Sequence, residues 1–198
     1  FSSIGEATPD LKYHGEPTTL TIGDDNVIRE SVTIHRGTVQ DRGDTFIGNS
    51  NLIMCYVHIG HDSIVRNNTI LVNNTALAGH VVVDDYAILS GYTLVHQFCK
   101  IGAHSFSGMG TAIGKDVPAY VTVSGSPAEA RTINAEGLRR RGFSEATLSD
   151  LRRAFKLIYR QGLTLDVAIE RLATMSTETP EILPLLESLE ASERGIVR

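Results

Sequence analysis

Tryptophan is absent from this chain of 198 residues, and aromatic residues make up only 6% of it. A core assembled around large rings is therefore excluded, and something smaller must fill the interior. Cysteine is almost as scarce: Cys55 and Cys99 alone cannot form a disulfide framework, which points to a reducing, cytoplasmic setting. No apolar run approaches the ~20 residues of a membrane-spanning helix. The opening residues, Phe1 to Gly5, lack the basic and apolar regions of a secretory leader. Positive charge is in deficit, with 18 Lys and Arg against 23 Asp and Glu and a net charge of -5, so a general nucleic-acid binder is disfavoured. Neither the 41% hydrophobic content nor the 18 glycines suggests disorder or a collagen-like repeat.

What the chain does have is a period. Aliphatic residues recur every six positions at Ile47, Ile53, Ile59, Val65, Leu71, Leu77, Val83, Leu89, Val95, Ile101 and Ile113, with only Ser107 out of type. Four residues after each stands a small or β-branched residue, from Val57, Ser63 and Thr69 through Cys99, Ser105, Thr111 and Val117. A shorter run, Ile22, Ile28 and Ile34, precedes the series. An α-helix returns its apolar stripe every three to four residues, so period six belongs to short strands joined by corners. Corner pairs such as Asn67-Asn68, Asn73-Asn74 and Met109-Gly110 are rich in residues that tolerate a left-handed backbone. Three edges close a coil of eighteen residues, and stacked coils make a parallel solenoid whose narrow interior needs no rings.

The expected architecture is mainly β, with a solenoid over residues 1–125 and an α-helical C-terminal domain over 126–198. Loops are expected to break the period near 8–19 and 39–46. Ser144 caps a helix with the apolar face Leu148, Leu151, Phe155, Ile158 and Tyr159. Thr164 starts a second through Val167, Ile169 and Leu172, and Thr179-Pro180 a third through Leu186 and Leu189, with Pro184 in its first turn.

All seven histidines precede residue 105. Residues eighteen apart stack one interstrand spacing, ~4.8 Å, from one another. One corner therefore gathers His61, Asp62, His80, His96 and Gln97, with His58 just before it. Exposed polar corners need no function, but a cluster of titratable groups on one edge does point to one. A histidine beside a carboxylate suits general-base work near neutral pH. Zinc at an open site is the rival reading, weakened by Gly79 and Gln97 standing where further ligands would help.

The stretches Ile34-His35-Arg36-Gly37-Thr38, His58-Ile59-Gly60-His61-Asp62, Asn73 through His80, Val95-His96-Gln97-Phe98-Cys99 and Asn134 through Phe143, together with Asp10-Leu11-Lys12-Tyr13, resemble the UDP-N-acetylglucosamine O-acyltransferases, hexapeptide-repeat enzymes folded as a left-handed parallel β-helix. The left hand is implied by that resemblance alone, because parallel crossovers are otherwise overwhelmingly right-handed.

The resemblance implies transfer of an (R)-3-hydroxyacyl chain from acyl carrier protein to the 3-hydroxyl of UDP-N-acetylglucosamine, the first step of lipid A synthesis. It makes His61 the general base, Asp62 its orienting partner and Gly79 the oxyanion donor. His58, His80, His96, Gln97, Asp10 and Lys12 would line the substrates, and Asn134, Glu136, Arg140 and Arg141 the nucleotide. Met109, where relatives carry Gly, would shorten the acyl pocket.

No metal or cofactor is implied, the acyl donor being carried on the phosphopantetheine of acyl carrier protein. Homotrimers with sites between subunits, no nucleic acid and a cytoplasmic location are also implied, as are further coils preceding Phe1. Arg139 to Arg141, Arg152, Arg153 and Lys156 would meet the acidic carrier protein. The related N-acyltransferase acting on an acylated UDP-glucosamine and a non-catalytic repeat scaffold are the alternatives.

Overall fold

The computed structural model describes residues 1–198. Its first two-thirds is a three-faced coil of very short strands in which every strand pairs in parallel with the one a full turn away. The first face stacks Ser3–Glu6, Thr33–His35, His58–Ile59, Ala76–Leu77, Leu94–Val95 and Ala112–Ile113. The second face stacks Thr19–Ile22, Asp44–Ile47, Ile64–Val65, Val82–Val83 and Lys100–Ile101. The third runs from Val27–Ile28 through Leu52–Ile53, Ile70–Leu71, Ile88–Leu89 and Phe106–Ser107 to Val121–Ser124. Where the coils are regular, partners lie eighteen residues apart, as in Ala76 with Leu94 and Val82 with Lys100.

Burial follows the period. The aliphatic series from Ile47 to Ile113 is at most 4% exposed, and Ser107 keeps its inward place at 0%. The small residues four places on, Val57 to Val117, are as deeply buried. Ile22 and Ile28, on the first coil, are only half-buried.

The corners obey one rule. The second residue of each pair, every sixth position from Ser50 to Gly110, has φ between 57° and 72°. This left-handed conformation costs a non-glycine residue roughly 1–2 kcal/mol. The coil offsets that cost by an axial bond, since the same residue donates its N–H to the first corner residue of the coil below, as in Asn68 to Asn49, His80 to His61 and Phe98 to Gly79. That bond is indifferent to side chain, so Tyr56, Tyr86, Tyr92 and Phe98 occupy positions where composition alone suggests Asn, Asp or Gly.

Both loops are shorter than the broken period suggests. Thr19 already belongs to a strand, and so do Asp44, Thr45 and Phe46. The partner of Thr19 is Asp44, one coil plus seven residues away, and that of Ser3 is Thr33, one coil plus twelve. Both insertions leave the stack between the first and second faces.

The expected domain boundary at 125/126 is too early. Glu129–Ile133 is a strand, antiparallel to Val121–Ser124 and part of the third face. The helices follow: α1 (Ala135–Arg140), α2 (Glu145–Tyr159), α3 (Leu165–Ser176) and α4 (Leu183–Glu190). Ser144 and Thr164 cap α2 and α3 as their sequence suggests. The face of α3 differs, since it buries Ala168 and Leu172 while Val167 is exposed. Pro180–Ile182 forms a 3-10 turn that lets Pro184 sit in the first turn of α4, where its missing N–H costs nothing. The helices close the end of the solenoid: Tyr120 Oη donates to the Glu181 carbonyl at 2.9 Å, and Val197 N–H to the Asp116 carbonyl at 2.9 Å.

Ser107 is more than a defect in the repeat. Its Oγ accepts from Ser90 N–H at 3.1 Å and bonds Thr93 Oγ1 at 2.7 Å inside the core. Ser107→Val restores the apolar period yet strands the partly buried Ser90 N–H and removes a partner of the buried Thr93 hydroxyl, so denaturant unfolding should show a loss of about 1–3 kcal/mol. A gain in stability would mean that the position is only a packing slot.

Candidate active site

The corner between the first and second faces holds the chemistry, and both loops emerge there. His61 and Asp62 form one rung, Gly79 and His80 the next, Gln97 and Phe98 the third. His61 Nδ1 lies 2.8 Å from Asp62 Oδ2. The Asp62 side chain is fully buried, and its charge is satisfied by Thr38: the Thr38 N–H donates to both carboxylate oxygens at 2.9 and 3.1 Å, and its hydroxyl donates to Oδ2 at 2.7 Å. Buried carboxylates survive only when partnered in this way. Because a loop interrupts the coil below, Asp62 N–H cannot follow the corner rule and donates to Thr45 Oγ1 at 2.8 Å instead.

With Nδ1 taken by the carboxylate, His61 presents Nε2 as its free basic atom. Asp10 approaches that atom to 3.7 Å from the lower loop. Gly79 lies flat against the ring, where a Cβ would stand 2.6 Å from both Cε1 and Nε2. Its N–H donates to nothing within the chain. An unengaged amide beside a free imidazole nitrogen is the geometry of an oxyanion donor beside a base.

His80 meets the His61 ring edge-on at 4.9 Å, stacks on Phe98 at 4.3 Å, and has Nδ1 bound 2.7 Å from Asp41 Oδ2. Asp10, Lys12, Thr38, Gln40, Asp41, His80 and Phe98 line a cavity of about 440 Å³ beside this pair. His58 stands one residue before the corner strand's end, with Nδ1 2.8 Å from Thr33 Oγ1 and its ring edge-on to His35. Burial first, then the neighbouring imidazoles, push the pKa of both His35 and His58 down.

His61, Asp62 and His80 have ligand atoms within 4.8 Å of one another. A cation there would compete with bonds already made, because Asp62 is held by Thr38 and His61, and His80 Nδ1 by Asp41.

His96 and Gln97 lie on this edge one coil above Gly79, exposed, with His96 Nδ1 3.1 Å from the Gln97 carbonyl. The remaining residues are not brought to this corner. Asn134, Glu136, Arg140 and Arg141 gather at the next corner, a six-residue edge of roughly 15–20 Å away. There Tyr86, His104 and Tyr120 stack, with Phe143 edge-on and Arg141 4.8 Å above the Tyr86 ring. Burial, then Arg141, lowers the His104 pKa to about 4. Both ends of the Asn134 carboxamide are engaged: it accepts from Gly137 N–H and donates to the His104 carbonyl, seating α1 on the solenoid. Arg140 pairs with Glu136 at 3.0 Å. Met109 projects from the third corner, 81% exposed.

Thr38 and Asp41 are the residues in contact with this corner that sequence reasoning passed over. The signal was present but indirect, because both lie in the insertion that breaks the period immediately below His61.

Comparison with known proteins follows the same outline. A family model described as UDP N-acetylglucosamine O-acyltransferase, domain 2, matches residues 116–197. The whole chain is 70% identical to the acyl-[acyl-carrier-protein]–UDP-N-acetylglucosamine O-acyltransferase of Ectopseudomonas mendocina, covering 77% of that protein. Among solved structures, UDP-N-acetylglucosamine O-acyltransferase from Moraxella catarrhalis superposes over 100% of this chain and 77% of its own with a TM-score of 0.99 at 49% identity. The UDP-N-acetylglucosamine acyltransferase from Campylobacter jejuni does so over 100% and 77% with a TM-score of 0.93 at 34% identity. Superposition at this level requires a common hand, and the solenoid is a left-handed parallel β-helix.

The contact between Gly79 and His61 gives a direct check. Gly79→Ala should displace the imidazole and block the amide, lowering kcat by about 10²–10³ while leaving the melting temperature within a few degrees. Unchanged turnover would remove Gly79 from the site.

Proposed function

The chain belongs to the acyl-[acyl-carrier-protein]–UDP-N-acetylglucosamine O-acyltransferases, and from that premise we propose how its residues divide the reaction. The enzyme moves a 3-hydroxyacyl group from acyl carrier protein to the glucosamine 3-hydroxyl of UDP-N-acetylglucosamine, the first step of lipid A synthesis. His61 Nε2 takes the hydroxyl proton as the sugar oxygen attacks the thioester carbonyl. Asp62 holds Nδ1–H and stabilises the imidazolium. The Gly79 N–H receives the negative charge developing on the carbonyl oxygen. Collapse of that intermediate expels the carrier thiol, which leaves with the proton held on His61. The observation that carries this reading is the buried His61–Asp62 pair set against the unengaged Gly79 amide.

Asp10, Lys12, His58 and His80 are placed to bind the sugar, and His96 and Gln97 the acyl donor. Glu136, Arg140 and Arg141 supply charge for the nucleotide, while Asn134 acts by seating α1. Since those residues and Met109 lie at corners away from His61, the reading requires neighbouring copies, with a homotrimer as the assembly and sites between subunits.

An apolar groove of about 420 Å³ on the first face, lined by Leu94, His96, Ala112, Ile113 and Pro127, begins one coil above Gly79. It suits the acyl chain, and Met109 stands three residues before the strand that forms its far part, where a bulky thioether would favour a shorter chain. Arg139 and Arg140 are paired with Glu145 and Glu136, and Arg153 with Asp150. That leaves Arg152, Lys156 and, newly, Arg160 as the free cations for the acidic carrier protein, around a hollow of about 220 Å³. No helix is long and apolar enough to cross a membrane. The proposal places the enzyme in the cytoplasm with its two substrates and needs no cofactor beyond the donor's own arm.

Acyl transfer from a series of ten- to fourteen-carbon 3-hydroxyacyl carrier proteins tests the assignment. The wild type should prefer the shorter chains, Met109→Gly the longer ones, and His61→Ala should lose about 10²–10⁴ in kcat. Normal turnover by His61→Ala would remove His61 as the base, and absence of turnover by the wild type would return the chain to the class of non-catalytic scaffolds.

A further inference from the structure

The loop that breaks the solenoid below His61 bonds to both rungs of the site from outside the coil. Gly37 closes its base: a Cβ there would run into the backbone of Gly43 and Asp44, so the two feet of the loop are pinched together. Gly43 N–H donates to the Thr38 carbonyl at 3.0 Å, fixing the residue that follows the pinch. From this base Thr38 reaches Asp62, and three residues on Asp41 reaches His80.

Asp62 Oδ2 accepts three bonds: Thr38 Oγ1 at 2.7 Å, His61 Nδ1 at 2.8 Å and Thr38 N at 3.1 Å. The backbone N–H alone spans both oxygens and so sets the rotation of the carboxylate. The hydroxyl therefore has a separate job, which is to draw off part of the negative charge that faces the imidazole.

Resting on the O-acyltransferase reading, we propose that Thr38 is a positioning residue for the reaction: through its hydroxyl it tempers the Asp62 carboxylate and so sets how strongly His61 holds the proton it takes from the sugar. The base must bind that proton firmly enough to activate the hydroxyl and loosely enough to return it to the departing thiol. A carboxylate relieved of one donor would hold the imidazolium too well.

The groups facing His61 from every side are Asp62 on its own coil, Asp10 from the lower loop, His80 on the coil above, and His58 and His35 along the first face. Of these only Asp62 is bonded to the Thr38 hydroxyl. Thr38→Val keeps the backbone N–H and the volume of the side chain, so the carboxylate stays in place while its charge rises.

Steady-state kinetics against pH, with wild type, Thr38→Val and Thr38→Ser, separate the possibilities. Thr38→Val should lower kcat by about five- to thirtyfold, leave KM for UDP-N-acetylglucosamine within twofold, and move the acid limb of kcat/KM upward by about half a unit or more. Thr38→Ser should restore all three. The His61 titration followed by NMR in the unliganded protein should shift upward in Thr38→Val, independently of turnover.

An unmoved acid limb and titration, a downward shift, or equal impairment of the Ser and Val variants would overturn the proposal and leave Thr38 as a packing residue. Failure of the wild type to acylate UDP-N-acetylglucosamine would instead strike the parent reading, and the NMR titration would still judge Thr38.

Discussion

The structure depends on one axial hydrogen bond repeated at every corner. The chain turns every six residues by placing a residue in the left-handed region, which L-amino acids resist. It is held there because that residue's N–H finds the carbonyl of the corner one coil below. The bond fixes the coil at eighteen residues, and the fixed coil stacks aliphatic on aliphatic and small on small without rings. The scarcity of aromatics follows from the same constraint, since an interior bounded by three close faces has no room for them. Five of the twelve aromatic residues, Tyr56, Tyr86, Tyr92, Phe98 and Tyr120, stand at corners, where Tyr86 and Tyr120 stack on His104.

The site is where this rule is broken. Below His61 the chain leaves the coil for seven extra residues, so Asp62 loses its axial partner and takes Thr45 Oγ1. The freed loop returns two carboxylate contacts: Thr38 secures Asp62 and Asp41 secures His80. A regular corner would offer side chains in a ladder with no support from the flank. The insertion supplies that support, and burial of Asp62 becomes tolerable because two donors of Thr38, its N–H and its hydroxyl, meet the carboxylate in three contacts.

Much of this was legible in the sequence. Period six gave the inward residues one by one, including the place of Ser107, and counting in eighteens brought His61, Asp62, Gly79 and His80 to one edge. Caps at Ser144 and Thr164 were readable because a hydroxyl before an apolar run satisfies free N–H groups. Three things were not readable. Residues in the left-handed corners are chosen by the axial bond, so Tyr and Phe there defeat any argument from composition. The strand Glu129–Ile133 turns back antiparallel and carries no period. The buried face of α3 is set by its neighbours α2 and α4, which favour Ala168 over Val167. Contacts between a loop and a coil, such as Thr38 with Asp62, depend on how the loop folds back, which spacing does not encode.

Three corners of one chain therefore carry the proposed base, nucleotide charges and acyl-length residue apart from one another, and the proposed function joins them only across neighbouring copies. Co-refolding two inactive variants, His61→Ala and Arg141→Ala, measures that claim most directly. If base and nucleotide site come from different copies, mixed assemblies contain some intact sites, and activity should return to roughly a quarter of wild type. If each chain holds its own complete site, no mixture regains activity, and the account is wrong at its centre.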